Sequence, residues 1–232
     1  SRVLVHHISL ICSLVVERER LICRRMEGDT LEDRDARIKL LIGTLQQGDA
    51  DGQFCFPRGL AFDHDRALLL VSDSWNHRVQ VFSCDEDAAG DPFVSKFGEK
   101  GDQPGQFQYP WGLAIDHDHD RILITDGGNN RVQVWSLSDQ SFLSCIGQRG
   151  SRDLEFNNPR GIAIDKHHHR IIIVDTNNHQ LVFLSSIDLS FLFSIGKRGS
   201  RPGEFLRPSG IAIDDDRHRI IVVDTFNERV QV

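Results

Sequence analysis

The sequence lacks the features that mark zinc-stabilised, disulfide-stabilised or membrane-spanning proteins. Its five cysteines are an odd number and form no Cys-x-x-Cys pair, which argues against a zinc finger and a disulfide framework and favours a reducing compartment. The apolar run from Ile8 to Val16 is too short to span a bilayer. A signal-peptide core is the alternative for this run, but no initiating methionine or small-residue cleavage site accompanies it, so a strand is favoured.

The sequence also lacks helical periodicity and an excess of positive charge. No segment repeats its apolar residues with the period of a helix. The formal net charge of −7 argues against a generic nucleic-acid binder held mainly by phosphate contacts, although a local basic patch can still steer a ligand. With 232 residues and an ordinary composition, the chain is long enough to bury a sizeable core.

What the sequence does contain is a repeat with a period near 50 residues. Two series of residues mark it, and within each series the members lie 53, 49 and 49 residues apart: the prolines Pro57, Pro110, Pro159 and Pro208, and the acids Asp73, Asp126, Asp175 and Asp224. A period of this length indicates stacked supersecondary units.

Each clean copy of the repeat contains four short apolar runs. The first reads Gly-hydrophobic-Ala-hydrophobic-Asp, the second is nearly all apolar with β-branched residues dominating (as in Ile171–Val174), and the third alternates (Val79–Phe82). Such runs predict strands, with the second buried on both faces, so each copy is predicted to be a four-stranded meander. Gly and Ala share one face of the first strand and keep it thin, as the innermost strand of a radial array requires. An all-β fold, the β-propeller, is therefore predicted, with a flat solenoid as the alternative.

The motif Pro-x-Gly-hydrophobic-Ala-hydrophobic-Asp, followed by Asp-x-x-Asn-x-Arg-hydrophobic-Gln-Val, resembles the NHL repeat. The matching cores are Asp73–Val81, Asp126–Val134, Asp175–Phe183 and Asp224–Val232. The resemblance implies one propeller domain of four-stranded antiparallel blades, with about five blades of a probable six in this chain. The predicted units are a degenerate first blade at residues 1–43, NHL blades at 44–97, 98–147 and 148–196, and a partial blade at 197–232. Either further sequence or pairing of Val3–Ile8 would complete the last blade.

NHL propellers in many cases form the C-terminal partner-binding or RNA-binding part of tripartite-motif ubiquitin ligases. The resemblance thus implies a non-enzymatic, cytoplasmic binding module without a cofactor, which takes a protein or single-stranded RNA on its loop face and neither a membrane nor a small-molecule substrate. No RING, B-box or coiled coil occurs here, so ligase chemistry cannot be assigned to these residues. The alternative is a metal-dependent propeller enzyme resembling peptidyl-glycine amidating lyase. Gly, Ala and aliphatic residues on the inner strands disfavour it, and stoichiometric zinc in the purified protein would favour it.

Polar residues that recur in the turns are predicted to be structural. Asn and Asp side chains satisfy turn backbone, and Arg can pair with a carboxylate. Gln180 replaces this arginine in the third copy, which should remove the ion pair there. The predicted structural turn residues are Asp73, Asn76, Arg78, Asp126, Asn129, Arg131, Asp175, Asn178, Asp224, Asn227 and Arg229.

Ligand binding is predicted where the copies differ, on loops at one edge of the blades. Aromatic side chains and arginines there could stack on unpaired bases and contact phosphate, or form a protein-binding hot spot. The structural alternative for Phe56, Tyr109 and Trp111 is packing between blades. An anionic ligand is expected to dock first on the basic loops of the last two copies. The predicted rim comprises Arg58, Trp75, His77, Tyr109, Trp111, Asn130, Arg149, Arg152, Arg160, Asn177, His179, Arg198, Arg201, Arg207 and Phe226.

No metal site is predicted. The histidines of the other turns are expected to be solvated on the face opposite the rim, because zinc needs three or four ligands that converge on one point. These histidines are His64, His117, His119, His167, His168, His169 and His218. The stretch Asp116–Asp120 lacks the glycine and terminal glutamate of a calcium-binding EF-hand loop.

Overall fold

In the computed structural model, which describes residue 42 and residues 47–85 and 91–232, three repeats form four-stranded antiparallel sheets and a fourth forms a three-stranded one. We name these sheets blades I to IV. The predicted degenerate blade at residues 1–43, including Val3–Ile8, lies outside the described residues apart from residue 42.

Every blade follows the chain from its inner to its outer strand. Blade I comprises β1 (Pro57–Asp63), β2 (Leu68–Asp73), β3 (Arg78–Ser83) and β4 (Phe93–Phe97). After a short parallel pair, β5 (Glu99–Lys100) and β6 (Gln106–Phe107), blade II comprises β7 (Pro110–Asp116), β8 (Arg121–Asp126), β9 (Arg131–Ser136) and β10 (Phe142–Ile146). After the pair β11 (Gln148–Arg149) and β12 (Glu155–Phe156), blade III comprises β13 (Pro159–Asp165), β14 (Arg170–Asp175), β15 (Gln180–Ser185) and β16 (Phe191–Ile195). Blade IV comprises β17 (Ile211–Asp214), β18 (Arg219–Asp224) and β19 (Arg229–Gln231).

The second strand of a blade supplies side chains to both neighbours. In β14, Ile171 and Ile173 pack with residues of blade II, whereas Ile172 and Val174 pack with residues of blade IV. All of these side chains are fully buried, as the uninterrupted apolar run predicts. Sheets therefore pack face to face in sequence order, with their inner strands side by side. The predicted all-β fold of propeller blades is confirmed.

The inner strands approach so closely that the glycine of Pro-x-Gly has no room for a side chain. A Cβ on Gly59 would overlap the carbonyl oxygen of Trp111, and one on Gly112 would overlap the carbonyl oxygen of Arg160. The pairing register also shifts at this point. Pro57 pairs with Asp73, but Leu60 pairs with Val71, so β1 carries one extra residue, and β7 and β13 do the same. These bulges bend the inner strand and redirect the side chain that precedes the glycine.

Helical structure in the described residues is limited to three-residue 3₁₀ turns. None of the described helices has the length and apolar character needed to cross a bilayer. The turns that follow the second strands are Ser74–Asn76, Gly127–Asn129, Thr176–Asn178 and Thr225–Asn227, and two further turns, His117–His119 and Asp215–Arg217, follow inner strands.

Candidate ligand-binding face

One edge of the blades carries the Asp-x-x-Asn turns together with the loops that enter the inner strands. The start of β1 pairs with the end of β2, so the loop before Pro57 lies beside the turn after Asp73. Backbone hydrogen bonds join loop and turn in each blade, from Trp75, Gly128, Asn177 and Phe226 to the carbonyls of Cys55, Gln108, Asn157 and Leu206. We call this edge of the blades the loop face.

A buried carboxylate organises each turn. Asp73 is fully buried; its Oδ1 accepts the backbone N–H of Cys55 at 2.7 Å. Its Oδ2 accepts hydrogen bonds from Asn76, Arg78 and Gln80, with the Arg78 Nε at 2.8 Å. The glutamine is a member of this network that the sequence interpretation missed, although its recurrence in Arg-Val-Gln-Val was a usable signal.

The arginine of this network also holds the incoming loop. The terminal nitrogens of Arg78 donate to backbone carbonyls of Asp49, Ala50 and Gln53. Arg131 and Arg229 make the equivalent contacts in blades II and IV. These contacts fix the loops rather than leaving the guanidinium free for a ligand. The turn asparagine also donates to a backbone carbonyl of the incoming loop, and it does so in all four blades, including blade III, which lacks the arginine. These asparagines are Asn76, Asn129, Asn178 and Asn227.

Blade III lacks the ion pair, as the substitution in its sequence predicts. Gln180 Nε2 donates to Asp175 Oδ2 at 2.9 Å in place of an arginine. Burial raises the pKa of Asp175, and the hydrogen bonds from Asn157, Gln180 and Asn178 oppose that effect.

Adjacent blades are joined on the loop face by a side chain at the turn tip. His77 Nδ1 accepts the backbone N–H of Tyr109 at 3.2 Å, and His179 Nδ1 accepts that of Arg207 at 3.0 Å. His77 is buried, and Asn130 makes the equivalent contact through its Oδ1 to the N–H of Asn158. The prediction that the His77 imidazole faces a ligand is therefore corrected, because its Nδ1 accepts a hydrogen bond from Tyr109 of the next blade. A local motif does not show this contact.

We expect this contact to make stability depend on pH. Burial, followed by the charge of Lys100, lowers the pKa of His77 below its ordinary value of 6.5. The unfolded chain then binds a proton more readily, so stability is complete above about pH 6.5 and is lost as the pH falls toward the lower folded-state pKa.

His77→Asn copies the natural arrangement at Asn130 and keeps an acceptor without a titrating group. At pH 7.5 its free energy of unfolding should lie within about 1 kcal/mol of the parent. Urea denaturation between pH 7.5 and 5.5 should show a smaller loss of stability for the variant than for the parent. Equal losses would show that His77 does not titrate in this range.

The bulges bring together two arginines and a tryptophan from three successive blades. The guanidinium carbon of Arg58 lies 4.4 Å from the centroid of the Trp111 ring, and that of Arg160 lies 4.2 Å from the same ring. Hydroxyls of the preceding blades hold the backbone in place, since Ser72 donates to the carbonyl of Trp111 and Thr125 to that of Arg160, both at 2.5 Å. We call Arg58, Trp111 and Arg160 the Arg–Trp–Arg cluster.

Exposed aromatic side chains continue from this cluster. Phe56 lies 4.6 Å from Trp75, and Trp75 lies 6.3 Å from Tyr109, measured between ring centroids. Their exposed fractions are 45, 53 and 44%, so each side chain keeps a large exposed area, although Tyr109 also packs against Trp75 and His77 of blade I. Both residues have positive φ angles, 50° and 56°, which are uncommon for aromatic residues. We call Phe56, Trp75 and Tyr109 the aromatic shelf.

The remaining predicted rim residues are more scattered. Arg207 lies 5.3 Å from the ring of Phe226, which is 56% exposed. Asn177 donates to the side chain of Asn157 at 3.1 Å and is thereby held within its own blade. The loop arginines of blades III and IV are exposed: Arg149, Arg152, Arg198 and Arg201.

The opposite edge carries histidines that contact carboxylates. His119 lies 3.0 Å from Asp116, and His168 lies 2.9 Å from Asp165, so these two side chains are paired rather than simply solvated. The rings of His167 and His218 stack at 4.1 Å across blades III and IV.

Among the described residues, one group on that opposite edge consists of residue types that can bind a metal ion. Asp63, Asp65 and His117 place ligand atoms within 4.8 Å of one another. The Asp63 carboxylate is already engaged, because it accepts hydrogen bonds from the backbone of Asp65 and from the backbone and side chain of Arg66.

Comparisons with known proteins agree with this architecture. The sequence profile of the NHL repeat matches residues 54–82 and 107–135, and a profile described as a 6-bladed beta-propeller matches residues 151–231. The solved structure of Kuenenia stuttgartiensis hydrazine synthase superposes with a TM-score of 0.55 at 13% identity, over 79% of this chain and 45% of that one. At this identity the likeness shows the fold alone.

Two relatives share part of the repeat region. The chain is 26% identical over 125 residues to human NHL repeat-containing protein 2, which covers 47% of this chain and 17% of that protein. It is 31% identical over 90 residues to Protein brain tumor of Drosophila melanogaster, which covers 38% of this chain and 8% of that protein. The chain thus spans under a fifth of either relative. Together with the geometry, these matches show that the chain carries NHL repeats within an all-β propeller, a type of module that binds protein or RNA partners.

Proposed function

We propose that the loop face binds single-stranded RNA. The observation that carries this proposal is the continuous run of aromatic rings and guanidinium groups from the exposed rings of Trp75 and Phe56 through Arg58 and the half-buried Trp111 to Arg160. Aromatic faces stack on unpaired bases of any sequence at about 1–3 kcal/mol per base, and arginines contact the phosphates between them. Neither requires a net positive protein, because the local field governs docking.

The loop arginines of blades III and IV supply the test. Replacing Arg198 and Arg201 with glutamate should weaken binding of a labelled single-stranded RNA by about tenfold or more at low salt, because the reversed charges repel phosphate. Fluorescence anisotropy of the chain with a uridine oligomer measures the effect. Lys166→Glu with Arg217→Glu is the matched control, since it reverses two exposed charges at the opposite edge and should leave affinity unchanged.

Unchanged affinity in the Arg198 and Arg201 variant at low salt would contradict the proposal. A protein partner is the second candidate, favoured by the net charge of −7 and by rim residues of the types that dominate protein hot spots. Crosslinking that recovers peptides but no RNA on the loop face would select it.

We further propose that the protein containing this propeller is a cytoplasmic, ubiquitin-ligase-type regulatory protein. The resemblance of the repeats to those of tripartite-motif proteins supports this context. Ubiquitin transfer would then come from domains other than this one, and a ubiquitination assay of the parent protein with and without the propeller would test it.

A further inference from the structure

We propose that the Arg–Trp–Arg cluster, together with Arg207, is a phosphate-binding subsite of the loop face. This inference rests on the proposed function and assigns the phosphate contact to particular side chains. It narrows the expectation that an anion docks first on the basic loops of blades III and IV, because it singles out Arg160, at the start of β13, and Arg207, in the loop before β17.

The first argument is the charge of Arg160. The charges that act on Arg160 are those of Arg58 and Arg207, and burial together with this repulsion lowers the pKa of Arg160 to about 10. Within the described residues no carboxylate forms an ion pair with Arg160, and its Nε is buried without a hydrogen-bond partner. The positive charge of Arg160 therefore has no counter-charge among the described residues, and a phosphate at its guanidinium would supply one.

The second argument is construction. The backbone bulge in β13 sets the direction of Arg160, the Thr125 hydroxyl fixes its carbonyl, and the Trp111 ring supports its guanidinium from 4.2 Å. A guanidinium held by stacking keeps its planar set of donors, which matches the oxygens of a phosphate group. By contrast, the turn arginines Arg78 and Arg131 use their donors on carboxylates and loop carbonyls.

The third argument is position. The guanidinium carbon of Arg58 lies 6.0 Å from the ring of Phe56, so the subsite adjoins the aromatic shelf. On the other side, Arg207 lies beside the exposed ring of Phe226. A phosphodiester seated at Arg160 would thus have a ring available for a base in either direction. A terminal phosphate of a small molecule shares this chemistry but makes no use of the aromatic shelf.

The test compares Arg160→Gln with Arg217→Gln, an equal charge change at the opposite edge. Binding of a uridine oligomer is measured by anisotropy over a range of salt concentrations. For single strands the slope of log K against log salt is about −0.7 per phosphate contact, so Arg160→Gln should make the slope about 0.7 less negative and the affinity at least fivefold lower. Arg217→Gln should change neither quantity. Arg160→Lys, which keeps charge but loses the planar stack, should bind with intermediate affinity and serves if the glutamine variant does not fold.

Inorganic pyrophosphate, used as a second probe, distinguishes a small phosphate compound from RNA as the ligand. It also distinguishes failure of the subsite from failure of the proposed RNA function. If it raises the melting temperature of the parent chain but not of Arg160→Gln, while RNA does not bind, the subsite stands for a small phosphate compound and the proposed RNA function fails. If RNA binding depends on Arg198 and Arg201 but not on Arg160, the proposed function stands and the subsite is refuted. Absence of binding by both probes overturns the subsite.

Discussion

Replacing Asp126 with alanine is expected to cost about 3–5 kcal/mol of stability, whereas the same change at Asp175 should cost about 1–3 kcal/mol. Asp126 is fully buried and accepts hydrogen bonds from the Gln108 backbone, Arg131 and two amide side chains. Its removal leaves the Arg131 cation, which is only 8% exposed, without its counter-charge. Asp175 has Gln180 in place of that arginine, so its removal strands no charge.

Urea denaturation of the two variants measures the difference. Both substitutions delete the same atoms from equivalent turns, so the cavity and backbone contributions largely cancel in the comparison. The single substitution Arg131→Gln provides a further control, because it gives the second turn the arrangement that Gln180 gives the third. It should lower the free energy of unfolding by less than Asp126→Ala does. Equal losses at Asp126 and Asp175 would show that the ion pair is not what distinguishes the turns.

The architecture was predictable because the repeat exposes it four times. Copies of one motif average out local ambiguity, and the Gly-x-Ala pattern marks the inner strand because neighbouring backbones crowd it. The Asp and Asn of every turn, and the Arg of three of them, are predicted to be scaffolding on the same basis, and in the first turn their contacts are with backbone and with one another.

The candidate site was less predictable because its geometry depends on partners far away in sequence. Nothing local in Pro-Arg-Gly indicates a bulge, since the extra residue exists only relative to the partner strand. His77 likewise looks like an exposed turn residue from its local sequence, because the Tyr109 backbone that it contacts lies 32 positions later, in the next blade. The convergence of Arg58 and Arg160 on Trp111 requires three blades at once. Sequence placed these residues on one rim, and the structure adds their contacts with one another.

Replacing Gly112 with alanine is expected to lower both stability and ligand affinity. The new Cβ would overlap the carbonyl oxygen of Arg160 and lie 3.1 Å from a side-chain carbon of Ile162. A strand in a closely packed sheet yields to such an overlap only by moving backbone, at a cost of about 1–3 kcal/mol or more. The displaced segment carries Arg160, so the guanidinium should move relative to Trp111.

Gly203→Ala is the matched control, because a Cβ there meets nothing within 4 Å. Its φ of 78° still makes alanine unfavourable, by about 1 kcal/mol, so the control carries a backbone cost without disturbing the inner strands. Thermal unfolding should rank Gly112→Ala as the less stable variant, and RNA anisotropy at a temperature where both are folded should show weaker binding for Gly112→Ala alone. Equal affinities would mean that close inner-strand packing stabilises the blades without positioning the Arg–Trp–Arg cluster for a ligand.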